Sequence, residues 1–376
     1  MMQAAFLSEG RIGVLDTLGE VKVLSCVTAD KYREREREIR QRKEWKQSGT
    51  GAMFTGAFMP SDAVLDVKLP ITGLSAADGR LAFCLNFDSG GGIYFKPLDE
   101  SQPETPILVE LKNSFFELSL NHNGNIAVSY SDSYIERHIA FLKVDVPHLQ
   151  SLTEGDCVDT NPSWSKRDED VLYYDSAGIA YSSDGRFAGL GPRSVYRLNI
   201  KTGELDEVLA DDRFDFVSPF EDSDGNLYFI RRPYKMGKGK MSARDIAKAP
   251  GKVARAFGGW LDFVTRRYTG ETLNTSGANP AKGSGKSPQQ IFVDGNLLEA
   301  EKTLKKNATA GDKNPGIIPK SWELVMRAPT GEETVLQTSV MGYCMTKSGI
   351  VYSNGRYVIA GDAAIKSHVA SKLIPL

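Results

Sequence analysis

Residues able to do chemistry are sparse in this chain. Its four histidines, His122, His138, His148 and His368, show neither H-x-H nor H-E-x-x-H spacing. No single strand or helical turn therefore delivers two imidazoles to one metal ion. Spacing reads them as solvated or structurally bonded rings, with His122 in a turn and His138 near a strand start. The four cysteines, Cys26, Cys84, Cys157 and Cys344, lie far apart with no C-x-x-C, and three have apolar neighbours. Reduced, partly buried thiols fit that pattern better than a disulfide framework or a zinc site. Gly283-Ser284-Gly285-Lys286-Ser287 ends like a phosphate-binding loop, yet Pro280 stands where the first glycine is needed. Pro288 follows where a helix should open, so the aligned amides that would hold phosphate are missing. There is no G-x-S-x-G elbow to present a nucleophilic serine. Acidic runs at Asp168-Glu169-Asp170, Asp211-Asp212 with Asp215, and Glu221-Asp222 with Asp224 miss the twelve-residue calcium-loop spacing. They read as turn residues. The expectation is a chain with no catalytic, cofactor-binding or metal-binding set.

The elements that would position any site are short strands and turns. One phrase recurs, a turn holding Asp-Gly, Asn-Gly or Ser-Gly followed by an apolar run. It appears at Asp78-Gly79-Arg80-Leu81-Ala82-Phe83, at Asn123-Gly124-Asn125-Ile126-Ala127-Val128 and at Asp224-Gly225-Asn226-Leu227-Tyr228-Phe229. A related turn at Asp168 precedes Val171-Leu172-Tyr173-Tyr174, and looser copies surround Gly10 and Gly349. Such turns need residues that tolerate positive φ, and the β-branched and aromatic runs suit strands. A second phrase, strand–turn–strand, is clearest at Val195–Leu209, recurs at Trp322–Leu336 and begins again at Ile93–Leu98. Gly79 to Gly124 is 45 residues, and Gly124 to Asp168 is 44. Four strands at this period are the pattern of a β-propeller blade, which buries its faces on its neighbours. Two stretches break the rhythm, 30–56 and 233–287. Without them 294 residues remain, about 49 for each of six blades, and the six turn copies favour six.

Asn161-Pro162-Ser163-Trp164-Ser165, with its following turn and strand, resembles the repeat of TolB-type, WD40-like (PD40) propellers, and Val217-Ser218-Pro219-Phe220 is a further copy. The resemblance spans most of the chain outside the two insertions and implies a blade architecture. It implies no activity, because its motifs describe blades. Two insertions set this chain apart from the family. So does a start without a basic or long apolar leader, which gives the expectation of a cytoplasmic protein. Some six-bladed propellers are metal-dependent lyases, but the scattered histidines argue against that activity here.

Composition agrees with a folded protein: of 376 residues, 41% are hydrophobic and 25% charged, enough to build a core. No run reaches the length of a spanning helix. The net charge of −2 hides an uneven distribution. From Arg231 to Lys286 thirteen basic residues face three acids, a net +10. Within it, Lys252 to Tyr268 reads as an amphipathic helix whose stripe is Val253, Phe257, Trp260, Leu261, Val264 and Tyr268. Gly258-Gly259 weaken it by about 1 kcal/mol each relative to alanine. Residues 269–288 read as a flexible linker. The first insertion carries a net +3 over 30–46, with Glu36–Arg40 and Glu38–Arg42 spaced for helical ion pairs and Asp30 placed as an N-cap.

The sequence thus leads to an all-β, six-bladed propeller of four-stranded blades forming one domain over 1–376. A charged helical insertion (30–56) and a basic amphipathic one with a linker (233–287) interrupt it. The functional expectation is a non-catalytic, protein-binding scaffold. Its candidate contact residues are Arg231, Arg232, Lys252, Arg255, Phe257, Trp260, Leu261, Arg266 and Arg267. A basic helix with tryptophan also suits an anionic membrane surface, and nucleic acid ranks below both. The competing readings are a peripheral membrane adaptor, or a lyase or hydrolase with its site at the channel mouth.

Overall fold

The computed structural model describes residues 2–35, 38, 71–234, 290–293 and 296–376, with breaks at 9, 88–89, 134, 182–186 and 368. Alternating apolar residues bounded by Asp-Gly and Asn-Gly turns form short antiparallel strands. At the first of these turns Asp78 (φ 52°) and Gly79 (φ 73°) both take the left-handed region. A two-residue hairpin turn needs that conformation to match the twist of its strands. Six four-stranded antiparallel sheets result, arranged in a ring.

Blade 2 runs outward through Ile71–Ala77, Arg80–Phe87, Gly90–Pro97 and Thr105–Glu110. Blades 3, 4 and 5 start from the innermost strands Ser114–Leu120, Cys157–Trp164 and Phe214–Glu221, and blade 6 from Gly342–Thr346. Blade 4 carries an extra strand, Phe187–Leu190, beside Val171–Tyr181. The middle strands of blade 2 are buried almost end to end, whereas its outer strand is largely exposed. A sheet sandwiched between two neighbours is apolar on both faces, so continuous apolar runs replace simple alternation there.

Each inter-blade seam has its own core. Leu74, Leu81 and Phe83 meet Ile12 and Val14 between blades 1 and 2. Cys84 and Ile93 meet Phe115 and Val128 between blades 2 and 3. Ile139 meets Trp164 and Leu172 at the next seam, and Tyr173 meets Phe216 and Phe229 at the one after. Ile230 and Leu324 meet Tyr343, and Val351 and Val358 meet Phe6 and Leu15. The ring closes where the C-terminal strand Leu373–Pro375 becomes the innermost strand of blade 1. It pairs with Met2–Ser8 in the register Ala4–Pro375, Ala5–Ile374 and Phe6–Leu373.

Closure also reassigns one turn. Five of the six turn copies join the first and second strands of a blade, but the copy at Gly10 joins Met2–Ser8 to Arg11–Asp16, the second and third strands of blade 1. The count of six blades stands, although one of its six markers sits on a different turn.

The insertions occupy different kinds of position. The first connects the outer strand of blade 1, Val21–Val23, to blade 2. Its backbone is helical over 27–35, so the helix begins before Asp30. The Asp30 amide already donates to Cys26 O at 2.9 Å, which places Asp30 inside the first turn and not at the N-cap. Glu104 of the neighbouring blade accepts the Thr28 amide instead, and Asp30 pairs with Arg33 at 2.7 Å. The paired positions Glu36–Arg40 and the rest of the insertion to 56, residue 38 aside, lie outside the described residues.

The second insertion leaves blade 5 after Leu227–Pro233 and returns at Glu323–Arg327. It therefore extends past 287. A hairpin, Gln290–Val293 with Asn296–Glu299, is followed by a helix, Ala300–Thr309. Buried Asn307 at that helix donates to Gly316 O (2.9 Å) and Ile318 O (3.0 Å). Leu298, Ile318 and Trp322 then pack on Met341 beside blade 6. No described helix is long and apolar enough to cross a membrane.

Close approach of neighbouring inner strands fixes one glycine. A Cβ at Gly73 would collide with the Phe116 carbonyl of blade 3, whereas one at Gly178 would meet nothing within 4 Å. Gly73→Ala is expected to lower unfolding stability in urea by about 1–3 kcal/mol. Gly178→Ala should change it by no more than about 0.5 kcal/mol.

Candidate functional site

The innermost strands bulge in register around the axis. Register shifts fall at Phe115/Leu118, Thr160/Ser163 and Val217/Phe220, and a bulge re-aims the side chains at its crest. Two crests, Asn161 (φ 52°) and Ser218 (φ 56°), hold positive φ without being glycine, a conformation that the surroundings must impose. Asp175, on the second strand of blade 4, imposes it. Its carboxylate accepts Asn161 Nδ2 at 2.7 Å, the Ser218 amide at 2.9 Å and Thr160 Oγ1 at 2.6 Å. The fully buried Asp175 is matched in charge by Arg193 Nη1 at 2.8 Å. The Arg193 amide then donates to Asp215 Oδ1 at 3.0 Å, and Asp215 Oδ2 accepts Arg232 Nε at 3.1 Å.

Arg232 is therefore not a surface contact. It is completely buried, with its guanidinium 4.6 Å from the centre of the Trp322 ring. Its place on the central strand Leu227–Pro233, and not the basic stretch around it, decides its exposure. Its neighbour Arg231 points outward but binds Glu323 (2.9 Å) and Glu333 (3.0 Å) of its own blade. Lys252, Arg255, Phe257, Trp260, Leu261, Arg266 and Arg267 lie outside the described residues.

The bulged strands enclose a central cavity of about 140 Å³, lined from all six blades. Lys372, immediately before the closing strand, extends Nζ to 3.5 Å from Asn161 Oδ1. Lys166, Tyr343 and Cys344 are the other titratable residues of the lining among those described. Glu117 is buried behind this wall, 4.0 Å from Arg137, whose guanidinium lies 3.6 Å from the Phe116 ring centre. Burial raises the Cys84 thiol well above its usual range; Glu117 adds to the rise and Lys372 opposes it. The cavity wall thus carries an ammonium at Lys372, beside the Asn161 amide.

Among the described residues, no histidine lines this cavity. His122 and His148 are exposed, in a turn and on an outer strand, and His368 lies outside the described residues. His138 is different. It lies at the start of His138–Lys143 in blade 3, where Arg137 bridges in parallel to Val158 of blade 4. Across that seam Cys157 Sγ is 3.9 Å from His138 Nδ1. Asp159 Oδ2 is 4.0 Å from the same nitrogen and 3.5 Å from the sulfur. Two residues that spacing read as separate are therefore neighbours, and they share a carboxylate that sequence reading passed over. All four cysteines are free thiols, with Cys26, Cys84 and Cys344 buried and Cys157 half-buried.

Two measurements check the site's construction. Asp175→Ala leaves Arg193 buried without its carboxylate, so urea unfolding should show a loss of about 3–5 kcal/mol. Tyr343 donates its hydroxyl to Ser218 O at 2.8 Å, and burial lifts its phenol well above the reference value of 10.0. A proton held more tightly in the folded chain stabilises it fully below about pH 10. That contribution is lost as pH rises above this value. Tyr343→Phe should therefore shallow the alkaline decline in stability, and an unchanged alkaline limb would contradict this assignment.

Comparison with known proteins gives the fold alone. No family model matches the chain, and no curated protein matches it in sequence. Among solved structures, TolB from Acinetobacter baumannii matches over 100% of this chain and 66% of that one, at 10% identity and a TM-score of 0.50. The chain thus spans just under two thirds of that protein's length. A TolB described as putative from Agrobacterium tumefaciens matches 62% of this chain and 70% of that one, at 13% identity and a TM-score of 0.40. An oligogalacturonate lyase in complex with manganese covers 62% of this chain and 56% of that one, at 11% identity and a TM-score of 0.36. The chain has the six-bladed, TolB-like propeller fold.

Proposed function

We propose that this protein is a non-catalytic interaction platform whose central cavity receives a narrow, carboxylate-bearing segment of a protein partner. The observation that carries the reading is Lys372, an ammonium placed against Asn161 inside a cavity of about 140 Å³. That volume suits an extended peptide segment or a single acidic side chain better than a folded surface. The titratable lining residues among those described are two lysines, a tyrosine and a cysteine. That set supports charge recognition more readily than acid–base catalysis, which needs a paired donor and acceptor within hydrogen-bond reach. The basic insertion, net +8 from Lys235 to Lys286, is the second proposed contact. In this reading the protein works in the cytoplasm, and no cofactor takes part.

Affinity capture from the native host tests the proposal with three baits: the full chain, a chain lacking 234–287, and Lys372→Glu. Partners held by the full chain should be lost or strongly depleted with Lys372→Glu. Identical partner sets on all three baits would overturn both the cavity and the insertion as contacts. Liposome co-sedimentation separates the membrane-adaptor reading. Sedimentation that needs anionic lipid and disappears on Phe257→Ala and Trp260→Ala would replace the protein partner with a lipid surface.

A further inference from the structure

We propose that His138, Cys157 and Asp159 form a three-ligand site for a borderline-soft divalent cation of the zinc type, in the seam between blades 3 and 4. It is the one group of three such side chains with converging donor atoms among the described residues. Zinc bonds lie at about 2.3 Å to sulfur and about 2.0–2.2 Å to imidazole nitrogen or carboxylate oxygen. Tetrahedral angles then separate the donors by roughly 3.3–3.6 Å. Of the donor separations here, sulfur to oxygen at 3.5 Å is already in that range, and 3.9 Å from sulfur to nitrogen and 4.0 Å from nitrogen to oxygen need to close by roughly 0.3–0.6 Å.

The donor set selects the ion. Thiolate and imidazole suit zinc and its neighbours, whereas magnesium and calcium demand oxygen ligands. The carboxylate is already oriented, as the ligands of metal sites usually are. Thr153 Oγ1 accepts the Ile139 amide at 2.8 Å and donates its own proton to Asp159 Oδ2. The Asp159 main-chain carbonyl is held by Ser129 Oγ of blade 3 at 2.7 Å. Backbone pairing supports the ligands from both sides. Cys157 opens the innermost strand of blade 4, His138 opens the third strand of blade 3, and the Arg137–Val158 bridge ties the two starts together.

Three protein ligands leave a fourth position. Asp159 is 2% exposed, His138 13% at its side chain, and Cys157 is half-buried. A water would complete the tetrahedron at that position. On binding, the Cys157 proton passes to solvent and the sulfur–metal bond takes its place, with no change of oxidation state. The ion would join two blades at a seam distinct from the central cavity.

Cobalt(II) titration of the full-length, reduced protein tests the assignment. One equivalent should produce a thiolate-to-cobalt charge-transfer band, and one equivalent of zinc should abolish it. The band should vanish in Cys157→Ser and His138→Gln, and persist in Cys344→Ser, whose thiol is buried at another seam. Thr153→Val, which removes the proton donor to Asp159 together with the side-chain acceptor of the Ile139 amide, should weaken zinc binding by about 10-fold. No band in the wild-type chain, or one that survives Cys157→Ser, would overturn the site and leave a thiol–carboxylate hydrogen bond only. Near-ultraviolet circular dichroism reports folding of each variant. If Cys157→Ser does not fold, loss or survival of the band in His138→Gln decides.

Discussion

Everything in this molecule depends on three residue pairs that close a ring. A four-stranded blade has two apolar faces, and only a neighbour on each side removes both from water. An open row of six blades would leave its two end faces exposed. Pairing of Leu373–Pro375 with Met2–Ser8 joins those ends, so that Phe6 and Leu15 reach Val351 and Val358 of blade 6. The same closure places Lys372 in the central cavity, since it directly precedes the closing strand. The most distinctive charge of that cavity is therefore a consequence of joining the two ends of the chain.

Local features were legible in the sequence and long-range ones were not. Asp-Gly and Asn-Gly turns, and the 44–45-residue spacing between them, report local backbone conformation. They led to blades, their number and the strand–turn–strand pairs at Val195–Leu209 and Trp322–Leu336. Ring closure joins residues about 370 apart and has no local signature, so the Gly10 turn looked like the others while sitting one strand later. The helix after blade 1 shows the same limit. Asp30 is a plausible cap by residue type, but Glu104 of another blade supplies the acceptor. The helix of 300–309 was missed because its polar, lysine-rich residues carry little apolar periodicity, whereas the hairpin before it does carry apolar runs about an Asp-Gly pair.

Charge was the least reliable guide at single residues. Arg232 contributes to a basic stretch by count, yet its position on a central strand buries it between Asp215 and Trp322. Asp175 looked like an ordinary acid but pins two bulges with one carboxylate. His138, Cys157 and Asp159 come together only because two blades stack. A C-x-D pair with a histidine nineteen residues upstream matches no ligand spacing that a single element provides. What sequence does supply is the regional balance: −15 for the chain outside 30–46 and 231–286, against +13 within those segments. Screening limits such attraction to about 10 Å at 0.1 M salt, so it acts near contact.

The closing pair also sets how the ring responds to force. Gln3 and Leu376 lie at the same end of the pairing, where the Leu376 amide donates to Gln3 O at 3.2 Å. Tension between the two ends of the chain therefore loads these hydrogen bonds one after another, like a zipper, and not all at once in shear. A ring held by six apolar seams thus has a mechanically soft latch. Peeling Leu373–Pro375 away would withdraw Lys372 from the cavity and take Leu373 off blade 6, while Phe6 and Leu15 stay against Val351 and Val358.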